Sequence, residues 1–183
     1  MIWKLLQTVI LAASALAGTV VVPCASIAAT SILDNSHTDV SFTYYVGFIS
    51  QSGHFSQIKG VFQFDPHSPH IGSINAVIRT ESLTASAWES EMKGPDFFNV
   101  AVFPEIRFQS RSAKLLGADT AEFTGELTMN GVTRPVTLLA KLGNGRHVSA
   151  MARIKRSAFN MTALSFLIAD DIDIRIEGDL LEN

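Results

Sequence analysis

Apolar and polar side chains alternate along most of this chain, and a period of two marks strands with one buried face. Val40, Phe42, Tyr44 and Val46 share one face of a first predicted strand, with Asp39, Ser41, Thr43 and Tyr45 on the other. Phe62 and Phe64 alternate with Val61, Gln63 and Asp65, and Ile74, Ala76 and Ile78 with Asn75 and Arg79. Ile106 and Phe108 stand against Arg107 and Gln109, and Phe123, Gly125, Leu127 and Met129 oppose Glu122, Thr124, Glu126 and Thr128. Asn130-Gly131 is the strongest short hairpin signal, because both residues tolerate positive φ; it leads into a strand from Val136 through Leu142. Gly143-Asn144-Gly145 predicts a second hairpin into Val148 to Lys155. The last strand is the cleanest, with Ile172, Ile174 and Ile176 facing away from Asp173, Arg175 and Glu177.

Two places break the rhythm. Asp65-Pro66-His67-Ser68-Pro69 reads as a turn, since each proline fixes φ and removes a donor. Between Thr84 and Lys93 the pattern suits a short helix, capped by Thr84, carrying Glu89 and stopped by Gly94-Pro95. About eight one-sided strands joined by tight turns predict an all-β fold: an eight-stranded antiparallel β-barrel with a short helical insert. Such a barrel holds either packed side chains or one ligand cavity. Periodicity alone also admits a sandwich.

The beginning of the chain does not share this pattern. Lys4 is followed by an apolar, small-residue run from Leu5 to Val22, which is the signature of a secretory signal peptide. Ser26-Ile27-Ala28 places cleavage after Ala28, with Ala15-Leu16-Ala17 as the alternative. The run is nearly long enough for a membrane anchor, but Pro23 and the small residues favour removal. Residues 1–28 are therefore the signal peptide, residues 29–183 a single domain, and the periplasm the expected compartment. Cys24 follows Pro23, which does not suit a lipid-modified cysteine, and its loss leaves the domain without disulfides. The remaining chain has 13 basic and 17 acidic side chains, a net charge of −4, so nucleic acid is not an expected partner.

The compositional oddity is the 12 phenylalanines. Phe42, Tyr44, Phe62, Phe64, Phe108 and Phe123 all fall on the apolar faces of their strands, where they either pack a core or line a cavity. Catalytic motifs are lacking: there is no Gly-x-Ser-x-Gly, no His-Glu-x-x-His and no phosphate loop. His67 and His70 sit in a proline-rich turn and make an incomplete metal site, so neither metal nor cofactor is expected. Asp170-Asp171-x-Asp173 lacks the downstream spacing of a calcium loop and reads as solvated charge. His37 precedes the first strand and would sit at one end of the barrel. Arg134, held extended by Pro135, would point to the barrel mouth or solvate a hairpin.

Several segments together resemble the YceI-like family of bacterial periplasmic proteins. They are His37-Thr38-Asp39-Val40-Ser41-Phe42; Lys93-Gly94-Pro95-Asp96-Phe97-Phe98-Asn99-Val100 with Phe103-Pro104-Glu105-Ile106-Arg107-Phe108-Gln109-Ser110; Gly125 through Val136; Ile154 through Met161; and Ile174-Arg175-Ile176-Glu177-Gly178. Two departures stand out: Tyr45-Val46 replaces a basic pair common in the family, and the stretch from Gly145 to Met151 is short. The resemblance implies a lipocalin-like barrel around an apolar channel, binding a polyisoprenoid or another long-chain lipid. It also implies, as a further partner, a cytochrome b561-like membrane protein; a homodimer is compatible with it.

The function expected is thus a periplasmic carrier, not an enzyme, with the lipid held by Phe42, Tyr44, Phe62, Phe64, Phe97, Phe98, Phe108, Phe123 and Phe159, and with His37 and Arg134 toward its head. Two other readings stay open. One is a lipid-modifying enzyme using the same cavity, with His37 and Asp39 as the acid–base pair. The other is a filled barrel serving as a protein-interaction module.

Overall fold

The computed structural model describes residues 29–64, 72–143 and 147–179. In chain order they form β1 (Ala29–Leu33), β2 (Thr38–Val46), β3 (Ile49–Phe55), β4 (Ile58–Phe64), β5 (Gly72–Arg79), β6 (Leu83–Ala85), α1 (Glu89–Lys93), β7 (Glu105–Leu115), β8 (Thr120–Met129), β9 (Val132–Leu142), β10 (His147–Lys155) and β11 (Asp171–Asp179). The strands make one antiparallel sheet in the order β1-β4-β5-β7-β8-β9-β10-β11-β2-β3-β6. The fold is an antiparallel barrel-like all-β sheet, as expected, but it has eleven strands among the described residues, not eight.

The difference has a physical origin. Three stretches of chain are creased at one level of the barrel and so count as two strands each. Asp34–His37 separates β1 from β2, Ser56-Gln57 separates β3 from β4, and a 3-10 turn, Thr80–Ser82, separates β5 from β6. Pairing runs on across the crease: Leu33 lies opposite Gly60 and Val40 opposite Phe55. Likewise Ile58 lies opposite Ile78 and Phe55 opposite Leu83. Residues 29–46, 49–64 and 72–85 are therefore three bent paths. Together with β7 to β11 they close a ring of eight, since β2 also pairs with β11 and β5 with β7. Closure removes most of the edge that an open sheet would carry, and among the described residues only β1 and β6 keep a single partner.

Small polar side chains hold the crease, because backbone groups freed from the ladder still need partners. Asn35 Oδ1 accepts from the Ile58 amide at 2.7 Å. Ser82 Oγ accepts from the Gln57 amide at 3.1 Å and donates to the Arg79 carbonyl at 2.6 Å. Buried Thr80 donates its hydroxyl to the Phe103 carbonyl at 2.8 Å, which ties the crease to the loop before β7.

Strand faces follow the alternation. On β8, Ala121, Phe123, Gly125, Leu127 and Met129 are all buried. The β8–β9 hairpin turns on Asn130 (φ 49°) and Gly131 (φ 74°), as the sequence predicts. Thr84, by contrast, caps nothing. It lies in β6 opposite His54, held extended by that ladder. α1 starts instead after Trp88, whose φ is 58°, and ends at Gly94. The Asp65–Pro69 turn with His67 and His70, the Asn144-Gly145 part of the second hairpin, Cys24 and the predicted signal peptide lie outside the described residues.

Candidate ligand cavity

Inward-facing side chains from β1, β2, β3, β4, β5 and β7 to β11 line one continuous cavity along the barrel. The space between its atoms, open mouth included, is about 1600 Å³, and the centre of a water molecule has about 150 Å³ to occupy. A single water needs only about 10–15 Å³ by that measure, so the interior is not filled. The lining is almost wholly apolar. Beyond the Tyr44 hydroxyl and the Trp88 indole, its polar side chains are Thr38, Ser41, Arg156 and Asp179.

The walls are unequal. Phe42, Phe55 and Phe98 meet at centroid distances of 5.5 to 6.0 Å and form an aromatic wall with Tyr44. Rings could plug a barrel of this size, but here glycines take them to the wall. A Cβ on Gly53 would stand 2.1 Å from Phe42 Cζ, and one on Gly125 would stand 2.7 Å from Phe108 Cζ. The tips of both rings therefore occupy the space on a neighbouring strand that a side chain would take. Across the lumen, β9 and β10 present Ala140, Ala150 and Ala152, with Ala140 and Ala150 paired. Small residues there leave the room that the aromatic wall does not take.

The Phe97-Phe98 segment enters from the loop after α1. Asn99 takes φ 45°, its amide donates to the Gly94 carbonyl at 2.8 Å, and the turn drives both rings inward, each 7% exposed. Tyr44 is 1% exposed, and its hydroxyl donates to the Ala87 carbonyl at 2.9 Å. Burial pushes its phenol above the ordinary value near 10. That bond fixes the segment bearing Trp88, which lines the cavity and is 38% exposed.

Of the residues singled out from the sequence, Phe42, Tyr44, Phe62, Phe97, Phe98 and Phe108 line the cavity. The side chain of Phe64 lies outside what the structure describes. Phe123 is fully buried on the same inward face of β8 as Leu127 and Met129 but does not line the cavity: its ring packs 5.8 Å from that of Phe62 on β4 and fills the interior there. Phe159 is buried under a separate shallow hollow that it shares with exposed Arg134, away from the lumen. His37 lies in the crease turn, its Nδ1 2.9 Å from Asp34 Oδ1. The proposed acid–base pair of His37 and Asp39 is not assembled: Asp39 faces outward, 2.7 Å from His54 Nδ1. The acidic run is solvated, with Asp171 on Lys155 and Asp173 on Arg153, and no group of three potential metal ligands occurs among the described residues.

Arg156 is the residue that sequence reasoning missed. It is 4% exposed and lines the cavity, yet no carboxylate is hydrogen-bonded to it. Its guanidinium donates to the backbone carbonyls of Met161, Ala163, Ile168 and Ala169 at 2.7 to 3.1 Å. Burial draws its pKa down from the ordinary value, and nearby Asp170 opposes that. The signal was its place in Ile154-Lys155-Arg156, where strand alternation turns a basic side chain inward.

A closed antiparallel barrel with an open, apolar, largely hydrocarbon-lined lumen defines a class of small-ligand barrels. Within it, the chain belongs to the YceI-like family, whose domain model matches residues 32–180. The chain is 36% identical to the protein YceI of Salmonella arizonae over 141 residues, 70% of this chain and 73% of that one, and the same holds for the protein of Salmonella heidelberg. Among solved structures, BcnA of Burkholderia cenocepacia superposes with a TM-score of 0.72 at 25% identity, covering 79% of this chain and 97% of its own. A polyisoprenoid-binding domain from Saccharophagus degradans, implicated in plant cell wall breakdown, shares the fold at a TM-score of 0.58 and 12% identity, covering 84% and 99%.

Proposed function

We propose that this protein is a periplasmic carrier that holds a long-chain apolar lipid, a polyisoprenoid or a similar amphiphile, inside its barrel. The observation that carries the reading is the continuous lumen lined by apolar side chains from nearly every strand. Family membership and the fold shared with a polyisoprenoid-binding domain support it. Export rests on the N-terminal pattern, and cleavage after Ala28 would leave β1 whole. A cytochrome b561-like membrane protein as donor or recipient, and pairing of two copies, belong to the same reading.

The driving force is burial of hydrocarbon, about 0.8 kcal/mol per CH₂. Some twenty buried carbons give roughly 16 kcal/mol before costs, near the practical ceiling of non-covalent affinity. Ordering of the guest and its lost translation offset much of that. No covalent chemistry is needed, and the polar end stays at the mouth. Native mass spectrometry of protein purified without detergent tests the idea, together with uptake of an apolar fluorescent probe after delipidation. A bound lipid that the probe displaces is the expected result. Protein that carries no lipid and takes up no probe overturns it.

A further inference from the structure

We propose that one end of the barrel docks on a phospholipid bilayer by inserting two apolar loop tips. The proposal does not depend on what fills the lumen. Two stretches without a charged side chain at neutral pH come together there: residues 40 to 58, whose only titratable groups are two tyrosines and His54, and residues 157 to 169. The Gly47 amide donates to the Leu167 carbonyl at 2.8 Å, the Ala169 amide donates to the Tyr45 carbonyl at 2.9 Å, and Val46 bridges Ile168.

Each stretch makes a tight turn that throws a phenylalanine into solvent. The β2–β3 hairpin turns at Gly47 (φ 59°), leaving Phe48 103% exposed and Ile49 66% exposed. In the second loop Leu164 takes φ 52°, its carbonyl accepts from the Leu167 and Ile168 amides, and Phe166 is left 87% exposed. A leucine held at positive φ is strained, so this tip is shaped rather than slack. Large apolar groups exposed together mark an interaction site.

The ordering of side chains points to a bilayer. Phe48 and Phe166 stand outermost. Tyr45 and Trp88, rings with a polar handle, lie behind them, partly exposed, as aromatic residues do at headgroup level. Farther back the charges are paired: Lys155 with Asp171, and Arg153 with Asp173. A second copy would have to cover both protruding rings with a matching surface, its own tips included, and the sedimentation arm of the test below reads that outcome. One hollow on the outer surface sets Arg134, Arg153 and Lys155 beside Pro135, Val136, Thr137, Ile154, Ala158 and Phe159, so three cations ring its apolar floor. A fluid bilayer closes around a protruding ring without a matching pit. With no unpaired basic cluster at the tips, insertion should not require anionic lipid.

Flotation of the purified protein with phosphatidylcholine vesicles, at low and high salt, tests this. The native protein is expected to float with the vesicles, with little dependence on salt. Phe48→Ser and Phe166→Ser together are expected to weaken partitioning at least tenfold while leaving the thermal melt and the uptake of apolar probe in vesicle-free buffer unchanged. Absence of flotation, or flotation that the double variant retains, overturns the proposal. So does a native dimer, seen by sedimentation, that the double variant dissolves without any vesicle binding by the native protein. Loss of probe uptake with flotation intact would count against the carrier reading and leave the docking surface standing.

Discussion

Arg156 shows how a single side chain can organise one end of the barrel. Its guanidinium offers five N–H donors in a rigid fork, and four of them close on carbonyls of the loop from Met161 to Ala169. The loop is also tied to β2 and its hairpin through Leu167 and Ala169, and Asp170 just after it accepts from the Ser157 amide and hydroxyl at 2.9 Å each. Arg156→Met keeps the apolar stem and strips the donors. It is expected to lower the unfolding free energy by about 3 kcal/mol, since charged hydrogen bonds contribute about 1.5–3 kcal/mol each and some carbonyls regain water. Urea unfolding measures it, and Arg156→Lys should recover little, because one ammonium cannot reach all four carbonyls. His147 poses a different question of protonation. Asp179 at 3.0 Å from Nδ1 and Glu177 at 2.9 Å from Nε2 leave a neutral ring with one nitrogen that cannot donate. Hydrogen bonds to Asp179 first and then Glu177 raise its pKa above 6.5. A raised folded pKa adds stability in full below the unfolded value and loses it as pH climbs through the folded one. The difference in urea midpoint between the native protein and His147→Gln should therefore be largest below about pH 6.5 and vanish at alkaline pH. A difference independent of pH would show that the ion pairs contribute nothing.

At the scale of elements, the crease decides how three chain paths bend, and it rests on side chains that look like ordinary loop residues. Asn35→Ala would orphan the amide of Ile58, a residue 2% exposed. An unpaired buried donor costs about 1–3 kcal/mol, so that loss in stability is expected, with faster hydrogen exchange at Ile58 than at distant β8 amides. Unchanged exchange at Ile58 would mean that the carboxamide is dispensable. The crease also marks where the sequence stops being readable. Strand faces such as Val40-Phe42-Tyr44 and Phe123-Gly125-Leu127 were legible because alternation is local. β3 was not, because the inward place beside Phe42 is held by Gly53 and the residues before it are Ser50, Gln51 and Ser52, which leaves no alternation to read. Nothing in Ser56-Gln57 or Thr80-Glu81-Ser82 announces that these breaks align across neighbouring paths, since that alignment is a matter of long-range pairing. The site divides in the same way. Alternation turns Phe62 and Phe123 inward alike, yet only Phe62 lines the lumen, because periodicity says which side chains face inward and not where along the barrel they meet and fill it.

For the molecule as a whole, an eight-path barrel is just wide enough for its own side chains, so an empty lumen has to be built by subtraction. Here it comes from alanines on β9 and β10 and from the rings of Phe42 and Phe108, which reach over glycines of the strands next to their own. That arrangement makes a prediction which separates a lumen kept open for a guest from a loosely packed core. Ala150 is 5% exposed, lies opposite Ala140 and faces the open space. In an ordinary core, Ala150→Phe would overpack and cost about 1–3 kcal/mol. In this barrel the new ring has vacant volume to enter and gains apolar contact there, so the unfolding free energy should stay within about 1 kcal/mol of native or rise. The same ring takes the place of hydrocarbon, and uptake of an apolar probe should fall at least tenfold. Both quantities are read on one preparation, by urea unfolding and by probe fluorescence. Retained stability with lost uptake is the expected pair. Lost stability with undiminished uptake would mean that the alanines pack the fold and that the guest, if there is one, lies elsewhere.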